Sequence, residues 1–544
     1  MKKIVTDSSN FKDFIQRDAC YIDKTKQIVE FFELSNKIIL MPRPRRFGKT
    51  LFLSTIYYLF SNLEKDETLF KETAIYGGEF FKEHFGKYPV ISITFKDVKE
   101  LNFESMLVKV QDEILVVAEK LLKDIDLDNV KCEKRYINCL KNILSYTATQ
   151  KDYEKSLKAL TIVLTSFYNT PCIVLIDEYD TPIIQSYLKG YYEEAITFLK
   201  SLLGSALKGN DLNIQKALIT GILRISKESM FSDMNNLKIY TILDKPLSTA
   251  CGFTKDETVE LLDYYGIKGE LKEEALTWYN SYTFGEYIVT NPWSILNFCE
   301  SKEFEAYWAN TASNDFIYDL VQKSRDFQAN LEKLLKNEPI DIAVDKNITL
   351  RDKELTKKDN LFSLLFFSGY LKCKEKYIQK DDDGTKQLHC KMLPANIECK
   401  MIFKNIISKY VRESFENQNI EDILNSLISG NIKLFEKLFS YLLRDTASYF
   451  DTKNENSYHM FLLGILVNLS NEYEIISNIE AGYGRVDIVL LPKKDKEKLA
   501  IVMELKEIDE FEEETKEKAL DKAVKQIKEQ EYISLAKKED ITIF

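Results

Sequence analysis

The first long apolar run of the chain, Ile-Ile-Leu-Met at 38–41, stops at a basic turn and is followed by a second apolar block at 51–60. A short run without polar interruption suits a strand covered on both faces, whereas ten residues behind Gly48 suit a helix. A β-branched run at 88–95, bounded by Gly86 and Asp97, reads as the next strand, and 100–167 has helical spacing with Lys/Glu faces, enough for two or three helices. The run at 172–177 is continuously apolar and ends in Asp177 and Glu178, and after a helical stretch at 190–208 come strand-like runs at 214–221 and 237–243. Five strands separated by helical segments predict an α/β fold with a parallel sheet, whose active edge lies at the carboxyl ends of the strands.

Beyond residue 250 the pattern turns helical. Thr254 caps, Glu257 follows three positions later, and Leu261 begins the apolar stripe. Aromatics crowd the stretch holding Trp278, Trp293 and Trp308, which reads as a helical lid or packing layer. Residues 320–445 read as amphipathic helices with one strand-like piece at 369–374, and Asp381 to Gly384 read as a hairpin tip rather than a calcium loop. The last hundred residues predict an opening helix at 455–464, strands at 475–480, 484–491 and 499–506, and a charged helix at 513–532. The implied boundaries are 1–248, a helical middle region at 249–445, and 446–544.

Composition narrows the class. The 544 residues, 45% hydrophobic and 30% charged, are those of a soluble protein with several cores. No apolar run approaches the roughly 18 to 20 residues that a membrane helix needs, and Met1-Lys-Lys is not followed by a signal segment, so a cytoplasmic protein is expected. A net charge of −11 disfavours coating nucleic acid through long-range attraction, while leaving room for a local basic groove. Nine cysteines without a C-x-x-C pair read as buried thiols; Cys373, His389, Cys390 and Cys399 match no zinc-finger spacing.

The chemistry concentrates in two places. After the 38–41 strand, Arg43-Pro-Arg-Arg-Phe-Gly-Lys-Thr50 ends in the Gly48-Lys49-Thr50 of a phosphate-binding loop: backbone N–H groups, a lysine for the outer phosphates, a hydroxyl for Mg²⁺ and a helix N-terminus. The usual first glycine is replaced by Arg43, and Pro44 removes a donor. ATP with Mg²⁺ is expected on Gly48, Lys49 and Thr50, with Arg43, Arg45 and Arg46 making up the lost positive charge; the alternative is that the arginines cap a sheet edge or pair with the acids. Asp177 suits Mg²⁺, Glu178 suits activation of water, Thr220 suits sensing of the terminal phosphate, and Arg224 suits the developing charge.

The second place is the final pair of apolar runs. Glu504 and Lys506 are two apart in a strand and share a face, and the turn-rich 492–498 segment makes 486–490 and 500–504 a hairpin. With Asp487 directly opposite Glu504, their Cβ atoms lie about 5 Å apart, close enough to share a divalent cation. Lys506 would orient a metal-bound water for attack at phosphorus, and Arg485 beside Gly484 would meet a nucleic-acid backbone. Glu-x-Lys alone is usually a solvated strand face; the preceding Gly-Arg-x-Asp gives it weight.

The segments Tyr21-Ile-Asp-Lys-Thr25, 43–51, 175–180, Thr220-Gly-Ile-Leu-Arg-Ile225 and 232–237 resemble the bacterial AAA-ATPase-like family fused to a PD-(D/E)XK nuclease-like domain. The Arg-Pro-Arg-Arg loop resembles that family's own version. The resemblance implies a P-loop NTPase fold with the catalytic-glutamate strand order and an α/β nuclease-like end. It also places Glu455 in the metal shell and Gln526 in the phosphate shell. The favoured reading is a nucleotide-controlled, Mg²⁺-dependent nuclease acting on nucleic acid, DNA ahead of RNA. The rivals are a non-catalytic nucleotide-gated interaction protein and an ATPase with an inactive nuclease-like domain.

Overall fold

The computed structural model describes the chain except for residues 225–235, 280–281, 309–319, 321–323, 325–329, 331–332, 336, 347–356, 381–383, 385, 415–419, 447–461, 470–471, 482–483, 494–497, 506–515 and 530–544. It divides into two units, Met1–Phe327 with Pro339–Lys400, and Gln328–Glu338 with Met401–Phe544.

The first unit is built on a parallel five-stranded sheet of β1 (Ile38–Pro42), β2 (Val90–Thr94), β3 (Cys172–Asp177), β4 (Ile214–Gly221) and β5 (Leu237–Ile239), in the order β2-β3-β4-β1-β5. All five expected strands are present. β1 and β3 are buried at every position, as continuous apolar runs in a doubly covered sheet must be. β5 stops at Ile239, short of the expected 243, because the Asp244 carboxylate takes the Thr241 N–H at 2.8 Å and turns the chain. Three helices fill the 100–167 region: Phe103–Leu122, Lys134–Leu144 and Gln150–Tyr168. The last begins with a reciprocal Thr149–Asp152 capping box.

The same unit carries two antiparallel sheets, of which the sequence pattern announces only the strand-like piece at 369–374 and the hairpin tip after it. β6 (Phe253–Thr254), β7 (Tyr282–Phe284) and β8 (Tyr287–Thr290) form one, in the order β6-β8-β7. β9 (Ile340–Ala343), β10 (Leu371–Lys380) and β11 (Lys386–Pro394) form the other, in the order β10-β11-β9. The outer half of β10 is mostly exposed, so its Lys, Glu and Gln lack the in/out alternation that marks a half-buried strand. Asp381 to Asp383 lie outside the described residues, between the paired ends Lys380 and Lys386. The expected Thr254–Glu257 capping box is present. The aromatic tract is core: Tyr279 and Phe298 are fully buried, and Ile4, Cys20 and Ile22 of the N-terminal segment pack against their cluster.

The second unit contains the packed helices Ile420–Ile428 and Ile432–Thr446, the antiparallel sheet β12 (Tyr473–Ala481), β13 (Gly484–Pro492) and β14 (Ile501–Met503), and the helix Lys516–Glu529. Ile488, Val489, Leu490 and Leu491 are all buried, so β13 is covered on both faces over this stretch. Among the described residues, no helix is long and apolar enough to cross a membrane.

Candidate functional site

At the carboxyl end of β1 the chain turns through residues 43–48 into the helix Lys49–Phe60, with Gly48 at its N-cap in the left-handed region at φ 89°. Lys49 is buried, and its ammonium donates to the backbone oxygens of Arg43 at 3.2 Å and Pro44 at 3.1 Å while lying 3.5 Å from Glu178 Oε1. The lysine thus holds the loop closed over the place where phosphate oxygens would accept from it.

Arg43 corrects the sequence expectation. Its guanidinium is fully buried and points backward, donating to the carbonyls of Pro42 and Tyr240 at 2.8 Å and of Leu247 at 2.9 Å. A guanidinium fork surrounded by three carbonyls caps the sheet edge and supplies no charge to the loop. Arg45 and Arg46 do line the cavity in front of the loop. Arg46 adopts φ 65°, a region unfavourable to a non-glycine residue, and its guanidinium lies 4.1 Å from the centre of the Trp293 ring.

The acids sit one strand away. β4 lies between β1 and β3, so Thr220 at the end of β4 falls between Thr50 and Asp177. Thr50 donates to Asp177 Oδ2 at 2.6 Å and Thr220 donates to Asp177 Oδ1 at 2.6 Å. Burial raises the pKa of Asp177 and the Glu178 charge adds to it, against the lowering effect of the two hydroxyls. Glu178 follows at φ 52°. Burial pushes this carboxyl up, but Lys49 and Arg45 more than offset that, so it stays ionised below the ordinary glutamate range. A non-glycine residue held at positive φ costs about 1 to 3 kcal/mol and needs its surroundings to hold it there. Here Thr181 donates to Glu178 through both its backbone N–H and its hydroxyl, at 3.1 and 3.3 Å.

Asp180 was not singled out from the sequence, although it completes the Asp177-Glu-Tyr-Asp180 run. Its Oδ2 accepts from the backbone N–H groups of Ile222 at 2.8 Å and Leu223 at 2.7 Å, so it fixes the loop that follows Thr220. Burial and the Glu178 charge push Asp180 up to about 6. Gly221 is required here, since a Cβ at that position would lie 2.4 Å from Asp180 Oδ1. Arg224 is not brought to the cavity; burial lowers its pKa, and its acidic neighbours are Asp244 and Asp345.

The cavity has a volume of about 320 Å³, within the range of small-molecule sites. It is lined by the loop from Arg45 to Phe52, by Glu178, Lys96 and Lys99, by Phe14, Cys20 and Tyr21 of the N-terminal segment, and by Gly252, Phe253, Trp293 and Leu296. Trp293 follows the Asn291 cap and Pro292 at the start of a helix, a position that carried no chemical signature in the sequence.

In the second unit, β13 pairs with β14 through Ile488–Met503, Val489–Val502 and Leu490–Ile501, and β14 ends at Met503; the same register carried one step further would set Asp487 opposite Glu504. Asp487 Oδ2 accepts from the Leu505 N–H at 2.7 Å, holding the carboxylate against the chain at Glu504. Arg485 lies on β13, with its side chain outside the description, and Gln526 lies half-buried on the helix Lys516–Glu529. Glu455 and Lys506 fall outside the described residues. Among the described residues no three His, Cys, Asp or Glu side chains cluster to hold a metal, which removes the Cys373, His389, Cys390 and Cys399 set as a zinc site.

Comparison with known proteins agrees with this division of chemistry. Residues 7–231 match the AAA-ATPase-like family described as Predicted AAA-ATPase, and residues 453–544 match the PD-(D/E)XK nuclease superfamily. The two matches lie in the order of the fusion that the sequence motifs resemble. A protein of Azotobacter chroococcum mcd 1, described as an uncharacterized protein in the vnfD 5′ region, is 27% identical over 323 residues, covering 59% of this chain and 56% of the relative. The match thus spans little more than half of that relative's length.

Proposed function

We propose that the first unit binds ATP with Mg²⁺ and hydrolyses it, and that the C-terminal sheet cleaves phosphodiester bonds in nucleic acid with Mg²⁺. The observation that carries the first half is the pair of hydroxyl contacts on Asp177, next to Lys49, Thr50 and Glu178, which line a cavity of suitable size. The donor set fits the cation, because Thr50 and Asp177 offer hard oxygen ligands already within 2.6 Å of each other. Bound there, Mg²⁺ would draw charge from the phosphate oxygens.

The chain's own groups do the rest. Lys49 exchanges its bonds to the Arg43 and Pro44 carbonyls for phosphate oxygens, and the N–H groups at the start of the helix Lys49–Phe60 face the same oxygens. Glu178, kept ionised by Lys49 and Arg45, accepts a proton from an attacking water. Thr220, through Asp177, reports on the occupant, and Asp180 keeps the Thr220 loop in place. Calorimetry with ATP and Mg²⁺ tests the reading: binding to the unaltered chain and its loss in Lys49→Ala are expected, and equal affinity in the two overturns it.

A distinct observation supports the second half: Asp487 Oδ2 accepts from the Leu505 N–H, which holds the carboxylate against the chain next to Glu504. These two carboxylates would hold Mg²⁺, and Lys506 two residues along would orient the water. Cleavage of linear or structured DNA with Mg²⁺, abolished in Asp487→Ala, is the expected result. Absence of cleavage of any DNA or RNA with Mg²⁺ or Mn²⁺ would leave the nuclease-like domain as a binding module.

A further inference from the structure

Two kinds of residue line the cavity in front of the loop. Gly48, Lys49 and Thr50 suit phosphate oxygens, while Phe14, Phe253, Trp293 and Leu296 suit an apolar ring. Trp293 is half-buried, so part of its surface remains accessible. Three hydrogen bonds fix the residue in place. Its ring N–H donates to the Tyr307 carbonyl at 3.3 Å, its backbone N–H donates to Asn291 Oδ1 at 2.9 Å, and its carbonyl accepts from Asn297 Nδ2 at 2.7 Å. An indole held in one orientation loses little further freedom when a ligand settles on it.

What lies over that ring is the guanidinium of Arg46, 4.1 Å from the ring centre, and Arg46 itself is exposed. The indole therefore already carries a planar, delocalised group, and that group is free to leave toward solvent or toward the loop to which it belongs. An exposed cation–π contact contributes about two- to fivefold in an equilibrium constant, whereas a base stacked on an aromatic side chain contributes about five- to 150-fold. Exchange of the guanidinium for a base thus favours the base. It also releases the Arg46 charge beside the residues that would take the phosphates.

We propose that Trp293 is the platform on which the base of a purine nucleotide stacks, taking the place of the Arg46 guanidinium. The inference rests on the ATP reading of the loop and names the contact that distinguishes a nucleotide from a bare polyphosphate. Stacking grows with the area of ring overlap, so a bicyclic purine gains more on an indole than a single-ring pyrimidine does. Phe14, Phe253 and Leu296 supply apolar surface to the same cavity.

Equilibrium binding to the full chain in the presence of Mg²⁺ tests this, with ATP, CTP and inorganic tripolyphosphate as probes. On the unaltered chain ATP should bind at least about fivefold more tightly than CTP. Trp293→Ala should weaken ATP by about tenfold or more, close the gap between ATP and CTP, and leave tripolyphosphate within about twofold. Trp293→Phe should keep most of the ATP affinity, because a phenyl ring still stacks. Equal loss of ATP and tripolyphosphate in Trp293→Ala would overturn the proposal and make the tryptophan a packing residue. Equal affinities for ATP and CTP on the unaltered chain would also overturn it, a comparison that needs no variant to fold. Lys49→Ala separates the two readings, since it should weaken ATP and tripolyphosphate alike. ATP affinity that depends on Lys49 but not on Trp293 overturns the platform and leaves the ATP reading standing. An unaltered chain that binds neither ATP nor tripolyphosphate removes both.

Discussion

Arg43 separates a structural from a phosphate-binding reading of the Arg-rich loop. Replacing it by Met keeps most of the volume and removes the fork, leaving the carbonyls of Pro42, Tyr240 and Leu247 without their donor. Each buried acceptor stripped of its partner costs about 1 to 3 kcal/mol. Against this stands the cost of burying the guanidinium, which is large enough to bring its pKa down to about 10, yet leaves it charged at neutral pH. Returning part of that desolvation reduces the sum, and a net loss of about 2 to 5 kcal/mol is expected for Arg43→Met. The assay is selective, since Trp278, Trp293 and Trp308 are the chain's three tryptophans and all belong to the first unit. Urea unfolding followed by tryptophan emission therefore reports that unit alone. A midpoint unchanged within about 0.5 kcal/mol, combined with lost ATP affinity, would refute the argument and return Arg43 to the phosphates.

Three further outcomes follow from the geometry. Glu178→Gln should bind ATP with Mg²⁺ about as tightly as the unaltered chain while phosphate release falls by two orders of magnitude or more, roughly the size of a general-base contribution; undiminished release would remove Glu178 from the chemistry. Glu398, accepting from Trp308 N and Ser294 Oγ in the buried interior, is pushed by burial up to about 7 from an ordinary 4.5. Below pH 4.5 it is protonated in both states; between 4.5 and 7 only the folded chain keeps the proton, so rising pH costs stability, by about 3 kcal/mol in all. Asp180 acts in the same direction up to about 6. Urea midpoints should therefore fall from pH 5 to pH 8, and Glu398→Gln should flatten the profile; a slope that Glu398→Gln leaves intact would exclude Glu398 as its source. Arg46→Ala should alter Trp293 emission, cost less than about 1 kcal/mol in stability and weaken ATP binding by about tenfold, as loss of one partly solvated charge contact would. Emission identical to that of the unaltered chain would mean that the ring contact is not kept in solution.

How much could be read from the chain beforehand depended on whether burial was continuous. β1 and β3 are fully buried, so their runs were unambiguous, and the acids at the end of β3 fell where a parallel sheet presents its edge. The hairpin of β13 and β14 was legible for another reason, the turn-rich 492–498 segment between two apolar runs, although β14 itself is only half-buried. β6, β7 and β8 are two to four residues long. No period can be established over so few positions. The direction of a side chain was illegible too: Arg43, Arg45 and Arg46 look equivalent in sequence, and only the carbonyls at 240 and 247 decide that the first turns backward. Asp180 escaped because its partners are backbone N–H groups, which leave no mark in a sequence.

The missing first glycine of the loop has a physical counterpart in what replaces it. A glycine-rich loop derives its shape from residues free to adopt positive φ, whereas here Arg43 and Pro44 are stiff and the shape comes from neighbours. Arg43 anchors the loop from behind on Tyr240 and Leu247, and the Gly252 N–H holds Phe47 O at 2.8 Å. Pro44 lies so close to Gly369 that a Cβ there would come within 2.8 Å of it. Gly252 is equally constrained, since its Cβ would meet Val289 at 2.2 Å. The loop's conformation is thus set by the 240–252 segment, β8 and the turn before β10. Nucleotide affinity should accordingly respond to changes at Gly252 or Gly369 that touch no phosphate. In a loop shaped by its own glycines those positions would be silent.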